Sequence, residues 1–199
     1  MTRNIGIGVN LTNRDALIVV DVQIDFCSEG SLPVTGSDLI IPVLNKYIQK
    51  FNRCNLPIFA TRDWHPRNHI SFKENGGIWP VHCIQMNSGA SFHPGLHLPD
   101  NTHIVNKGTS ENIDAYSGFE QTNLESSLRK QNIKRVFVGG LATDYCVKAT
   151  TLDALTYGFS VIVLEDGSSG VDLNQGDSST ALDEMVRAGA LTITIKDVL

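Results

Sequence analysis

The chain predicts an α/β fold, a three-layer sandwich in which a parallel sheet of about six strands carries helices on both faces. Three observations point to it. Short continuous apolar runs, such as those at 15–21, 56–61, 135–138 and 159–164, read as strands buried on both sides. Segments between them space their apolar residues as helices do. Strand and helix then alternate along the chain, the pattern of parallel strands joined by crossover helices.

The first strand, 15–21, stops abruptly at Asp21. A helix follows over 34–51, with Leu39, Ile40, Val43, Leu44, Tyr47, Ile48 and Phe51 on its apolar face. The second strand, 56–61, runs straight into Arg62 and Asp63. Residues 63–102 are rich in Pro, Gly, His and Asn, and a connection that long inside a compact domain is usually functional or disordered. Its two tryptophans and several prolines favour order. A short strand at 103–106 stops at Lys107-Gly108, and a helix is expected over 123–131. The run 135–138 ends in Gly139-Gly140 and feeds a helix from Tyr145 to Tyr157. Thr143 and Asp144 are suited to cap that helix, and Gly158 to stop it. A strand at 159–164, ending at Glu165-Asp166, a helix at 176–188 with Leu182, Met185 and Val186 as its stripe, and a strand at 191–195 complete the pattern.

The 199 residues read as one domain, with 1–13 as a polar lead-in. A net charge of -5 without any dense Lys/Arg block argues against a nucleic-acid partner or an acidic membrane surface. No apolar run has the length of a membrane span, and the lead-in lacks the layout of a signal peptide. Cys27, Cys54, Cys83 and Cys146 form no CxxC pair and no dense framework, which suits free thiols in the cytoplasm. A homo-oligomer is compatible with this composition.

In open parallel sheets, ligands bind beyond the carboxyl ends of the strands. Asp21, Asp63, Lys107 and the Cys146 turn all fall at such ends, so four reactive side chains share one sheet edge. Cys146 lies in the first turn of a helix, where unpaired N–H groups and the dipole favour thiolate. Taken alone it reads as a small buried hydrophobe. With Asp21 to accept its proton and Lys107 to hold the two negative charges together, it becomes a candidate nucleophile. Asp63, His65 and His69, with His82 further on, offer a carboxylate and imidazoles suited to a divalent ion such as Zn, Mn or Fe. His93 and His97 read as structural, and His103 is given no role.

The segments 18–27, Asp63/His65/His69, Trp79-Pro80-Val81-His82-Cys83, Phe92-His93-Pro94-Gly95-Leu96, Asn106-Lys107-Gly108, Ala115-Tyr116-Ser117-Gly118-Phe119 and 140–147 together resemble the nicotinamidase/pyrazinamidase group of the isochorismatase-like cysteine hydrolases. Gly170-Val171-Asp172-Leu173 with Gly176-Asp177 adds to the likeness, which runs over nearly the whole chain. The resemblance implies an amidohydrolase converting nicotinamide, and pyrazinamide with it, to the acid and ammonia through a cysteine thioester. It implies Asp21, Lys107 and Cys146 as the catalytic triad, and the N–H groups of Ala142 and Cys146 as the oxyanion hole. Phe26, Trp79, Tyr116 and Leu141 would line the substrate pocket. Asp63, His65, His69 and His82 would hold one divalent metal, zinc first and manganese or iron as alternatives, that orients the pyridine ring. A cis peptide is expected at Leu141-Ala142. Tyr145 departs from the histidine frequent in relatives.

Three other readings compete, the least favoured being a flavodoxin-like cofactor binder, since no glycine-rich phosphate loop follows the first strand. Another member of the superfamily, such as a carbamoyl-amide hydrolase or an isochorismatase, is disfavoured by the Asp/His set. A non-catalytic binding module on the same fold would leave Asp21, Lys107 and Cys146 without a purpose.

Overall fold

The computed structural model describes residues 8–199. The expected lead-in thus lies partly outside the described residues. Its remainder docks on the C-terminus, where Val9 bridges Val198 in parallel.

Six parallel strands, β1 (Asp15–Val20), β2 (Ile58–Asp63), β3 (His103–Lys107), β4 (Arg135–Leu141), β5 (Ser160–Ser169) and β6 (Leu191–Ile193), form one sheet in the order β3-β2-β1-β4-β5-β6. The order reverses direction between β1 and β4. Connections leave β1 toward one side and β4 toward the other, so a crevice opens at their carboxyl ends.

The period-two alternation of side chains sorts the apolar residues into two cores. Leu17 and Val19 face α1 (Ser37–Arg53), packing with Ile40, Leu44, Tyr47, Ile48, Phe51 and Phe137. Ala16, Ile18 and Val20 face the opposite layer of α2 (Leu124–Lys130), α3 (Lys148–Thr156) and α4 (Asp177–Arg187), packing with Leu124, Leu128, Val147, Ala154 and Met185. This is why β1 reads as an unbroken apolar run: both its faces are covered.

Several expectations are corrected. The first helix begins at Ser37, because Gly36 at φ 75° breaks the approach, and it runs on to Arg53. On α4 the buried stripe is Ala181 and Met185, while Val186 is 45% exposed. β5 does not end at Leu164. Its ladder with β4 shifts register between Val138 and Gly140, then resumes with Gly140 opposite Ser168 and Leu141 opposite Ser169. Within that longer strand Asp166 accepts the Tyr47 hydroxyl at 2.8 Å and the Ile195 N–H at 2.9 Å. Thr143 and Asp144 cap nothing. They open a π-helical turn, Thr143–Val147, that leads into α3. The Asp144 carboxylate instead accepts the Val171 and Asp172 N–H groups at 2.9 and 2.8 Å, tying that turn to the segment after β5.

Candidate active site

Asp21, Asp63, Lys107 and Cys146 are each delivered at or just beyond the end of a strand. Asp21 follows β1 at φ 50° and is fully buried. Asp63 and Lys107 close β2 and β3, opposite one another in the ladder. Cys146 sits in the π-helical turn after β4, 7% exposed. Two glycines make the convergence possible. At Gly140, with φ 135°, a Cβ would lie 2.1 Å from the Val20 carbonyl oxygen, so only glycine lets β4 pass β1 there. At Gly108, with φ 58°, a Cβ would lie 2.5 Å from the His65 ring.

The structure brings Asp21, Lys107 and Cys146 together. The Lys107 ammonium stands 3.0 Å from Asp21 Oδ2 and 3.5 Å from Cys146 Sγ. It also donates to Asp63 Oδ1 and, at 3.0 Å, to the Ala115 carbonyl. Carboxylate oxygens of Asp21 and Asp63 and the Cys146 sulfur all lie within 4.8 Å of one another. Asp21 Oδ1 accepts the Thr61 hydroxyl at 2.6 Å. Its Oδ2 has no aligned hydrogen bond and meets Lys107 only as an ion pair, which leaves that oxygen open to a proton.

Burial raises the Asp21 carboxyl above its ordinary value, with the Asp63 charge adding to it, although Lys107 and Thr61 pull the other way. Burial likewise pushes the Cys146 thiol well up, with Lys107 opposing and the two carboxylates adding. Burial thus weighs against the thiolate that the position of Cys146 in a helical turn led one to expect, and the raised Asp21 carboxyl is the group placed to take the thiol proton. Lys107 stays charged, because Asp21 and Asp63 outweigh its desolvation. Burial would raise Asp63 too, but the Lys107 ammonium beside it holds its carboxyl well below the usual range.

Asp63, His65 and His82 form the second group, their ligand atoms within 4.8 Å of one another. His65 Nδ1 donates to the Gly108 carbonyl and His82 Nδ1 to the Pro80 carbonyl, both at 2.8 Å. Those carbonyls place the ring proton on Nδ1 and leave each Nε2 with a free lone pair, 3.6 and 3.9 Å from Asp63 Oδ2. The structure does not bring His69 into this set. Its ring stacks on His65 at 4.0 Å, but Nε2 faces the Ile113 carbonyl at 3.1 Å and Nδ1 faces the Ser71 hydroxyl at 2.7 Å. A ring that donates through Nε2 and accepts through Nδ1 has no lone pair left for an ion.

A small cavity opens over both groups, lined by Phe26, Trp79, Tyr116, Leu141, Ala142, Tyr145, Cys146, Asp63 and His82, with Leu32, Val34 and Val171 completing it. The four expected pocket residues are all among them. The Leu141-Ala142 peptide is cis, as expected. The Ala142 N–H has no backbone acceptor among the described residues, and Ala142 itself borders the cavity.

Sequence reasoning missed Gln23. Its buried side chain donates to the Asp63 and Ala90 carbonyls at 2.8 and 3.0 Å and accepts the Asp63 N–H at 2.8 Å. It clasps the end of β1 to the end of β2 and so sets the Asp21–Asp63 spacing. A lone amide amid Val22 and Ile24, next to a strand end, was the available signal. Leu32, Val34 and Val171 carried none, since apolar loop residues do not announce which cavity they wall.

A thiol with a buried acid beside it, at the carboxyl edge of a parallel sheet, is the equipment of a cysteine hydrolase. Comparison with known proteins narrows that class. The isochorismatase domain family matches residues 15–197. The chain is 39% identical to a nicotinamidase of Escherichia coli (strain K12) over 92% of this chain and 95% of that protein. The crystal structure of a Pyrococcus horikoshii pyrazinamidase in complex with zinc superposes with TM-score 0.88 at 48% identity, covering 92% of this chain and 99% of that one. PnC1 from L. infantum, in complex with nicotinate, gives 0.89 at 35% identity over 96% and 98%. The chain belongs to the isochorismatase family.

Proposed function

We propose that this protein hydrolyses nicotinamide, and pyrazinamide with it, to the carboxylic acid and ammonia through a Cys146 thioester. One observation carries the reading most: the Cys146 sulfur, the Asp21 carboxylate and the Lys107 ammonium share a buried cluster at the floor of an aromatic cavity. The nicotinamidase and pyrazinamidase relatives support the substrate class.

The Asp/His/His donor set fits a divalent ion of the zinc type: one carboxylate and two imidazoles with the tautomer fixed. Asp63, His65 and His82 would hold it. Bound there, the ion supplies a Lewis-acidic anchor for a ring nitrogen.

The chemistry belongs to the chain's own residues. Asp21 takes the thiol proton as the Cys146 sulfur forms its bond to the amide carbon. The oxygen that gains the electron pair is met by the Ala142 and Cys146 N–H groups, and losing one such donor typically costs about 3 kcal/mol of barrier stabilisation. The carbonyl re-forms, the C–N bond breaks, and the Asp21 proton leaves with ammonia. Asp21 then takes a proton from water while the oxygen attacks the thioester. The C–S bond breaks, and the proton returns to sulfur. Lys107 keeps Asp21 and the developing thiolate from repelling each other throughout. Phe26 and Trp79 supply an apolar slot for a flat ring.

The test is mass analysis of protein quenched during turnover. A nicotinoyl adduct on the peptide bearing Cys146 is expected, and turnover of nicotinamide without any adduct on that peptide, under rapid acid quench, overturns the covalent route.

A further inference from the structure

Tyr145 directly precedes the sulfur-bearing residue, and in the structure it is the third ring of an aromatic wall. It meets Trp79 edge-on, with centroids 5.1 Å apart at 78°, and leans on Tyr116 at 5.7 Å and 35°. Trp79 Nε1 donates to the Tyr116 hydroxyl at 2.9 Å, so those two rings hold each other. They come from the loops after β2 and β3. Tyr145 comes from the turn after β4, where its own N–H donates to the Ala142 carbonyl at 3.1 Å. Its backbone is thereby held in the same turn as Cys146, while its ring packs against the two loop aromatics. All three rings line the one cavity.

We propose that the Tyr145 ring decides which ring-substituted aromatic amides the cavity accepts. This rests on the amide-hydrolase reading of the same site. A heteroaromatic amide attacked at its carbonyl carbon is pinned at Cys146. On that reading its ring nitrogen would turn to the side of the cavity that Asp63 and His82 line. Two anchors leave a flat ring no freedom to slide, so the carbons of its free edge must fit the walls as they stand. Tyr145, locked beside the sulfur, walls part of that edge. A bare pyridine or pyrazine ring enters, and a methyl group on the edge facing Tyr145 is refused. One methyl or methylene in an apolar pocket changes kcat/KM by about 10- to 200-fold.

The experiment measures kcat/KM for nicotinamide and for its 4-, 5- and 6-methyl derivatives with metal-replete wild type, Tyr145→Phe and Tyr145→Ala. In Tyr145→Ala the kcat/KM of at least one methyl derivative, relative to nicotinamide, should rise by about tenfold or more. Tyr145→Phe, which keeps the ring, should leave every ratio within about twofold of wild type. A ratio is insensitive to partial loss of folded protein. Tyr145→Leu, which keeps apolar bulk without the ring, is read the same way should the alanine variant not fold. Ratios unchanged in the variants lacking the ring overturn the proposal. Wild type that releases no ammonia from nicotinamide is a separate outcome, which overturns the amide-hydrolase reading and this inference with it.

Discussion

Lys107 and Asp21 meet across the β1–β2–β3 edge at 3.0 Å, Nζ to Oδ2, with neither side chain touching solvent. The same ammonium is bound by Asp63, so one cation compensates two buried carboxylates. That makes Lys107 a structural counter-ion before it is part of any chemistry.

Removing it should be costly. Lys107→Ala leaves two uncompensated buried charges, and breaking a buried pair from one side typically destabilises by about 3–5 kcal/mol. Urea unfolding in the presence of a chelator should show a midpoint lowered accordingly, along with loss of ammonia release. A variant as stable as wild type would contradict the counter-ion role.

Cys146→Ala should abolish ammonia release from nicotinamide while bound metal, measured by elemental analysis, stays at the wild-type level. Turnover retained in this variant would remove the nucleophile from the mechanism.

The tautomer argument separates the histidines. His65→Ala should lose bound metal and raise KM for nicotinamide, because an Nε2 lone pair directed at Asp63 is gone. His69→Ala should keep its metal, since both ring nitrogens already face Ser71 and Ile113. Gly108→Ala should resemble His65→Ala, as the added methyl displaces the His65 ring. Metal analysis of the three variants checks the order, and metal loss in His69→Ala would restore that residue to the ligand set.

Activity should fall on the acid side as Asp21 takes up a proton and ceases to be a base. Because burial raises this carboxyl, the acid limb of kcat/KM should lie above the ordinary carboxylate value near 4. The Thr61 hydroxyl stabilises the charged form, so Thr61→Val should move that limb further up in pH. A limb unmoved, or moved downward, would mean that another group controls it.

Much of this was legible in the sequence because strands buried on both faces leave an unmistakable apolar signature and end sharply in charge. The runs closing at Asp21, Asp63 and Lys107 placed the site before any coordinates did. Motif resemblance supplied the pocket and the cis peptide. What the sequence hid depends on partners remote in the chain. The continuation of β5 past Glu165 needs the register shift against β4, which no local pattern encodes. Thr143 and Asp144 look like helix caps until Val171 and Asp172 arrive to claim the Asp144 carboxylate. The spacing of His69 from Asp63 and His65 suits a metal set, but the Ile113 carbonyl, 44 positions away, accepts the Nε2–H, and the Ser71 hydroxyl occupies the Nδ1 lone pair.

The reversal of strand order between β1 and β4 divides the chemistry as well as the topology. Everything before residue 108 contributes proton acceptor, ammonium and imidazoles, and the sulfur arrives only with the polypeptide beyond β4. A cut anywhere in the connection between β3 and β4 yields two chemically mute fragments. Activity could return only by complementation along the β1–β4 ladder, so proteolytic nicking that separates the halves silences the enzyme outright instead of releasing a degraded but still active form.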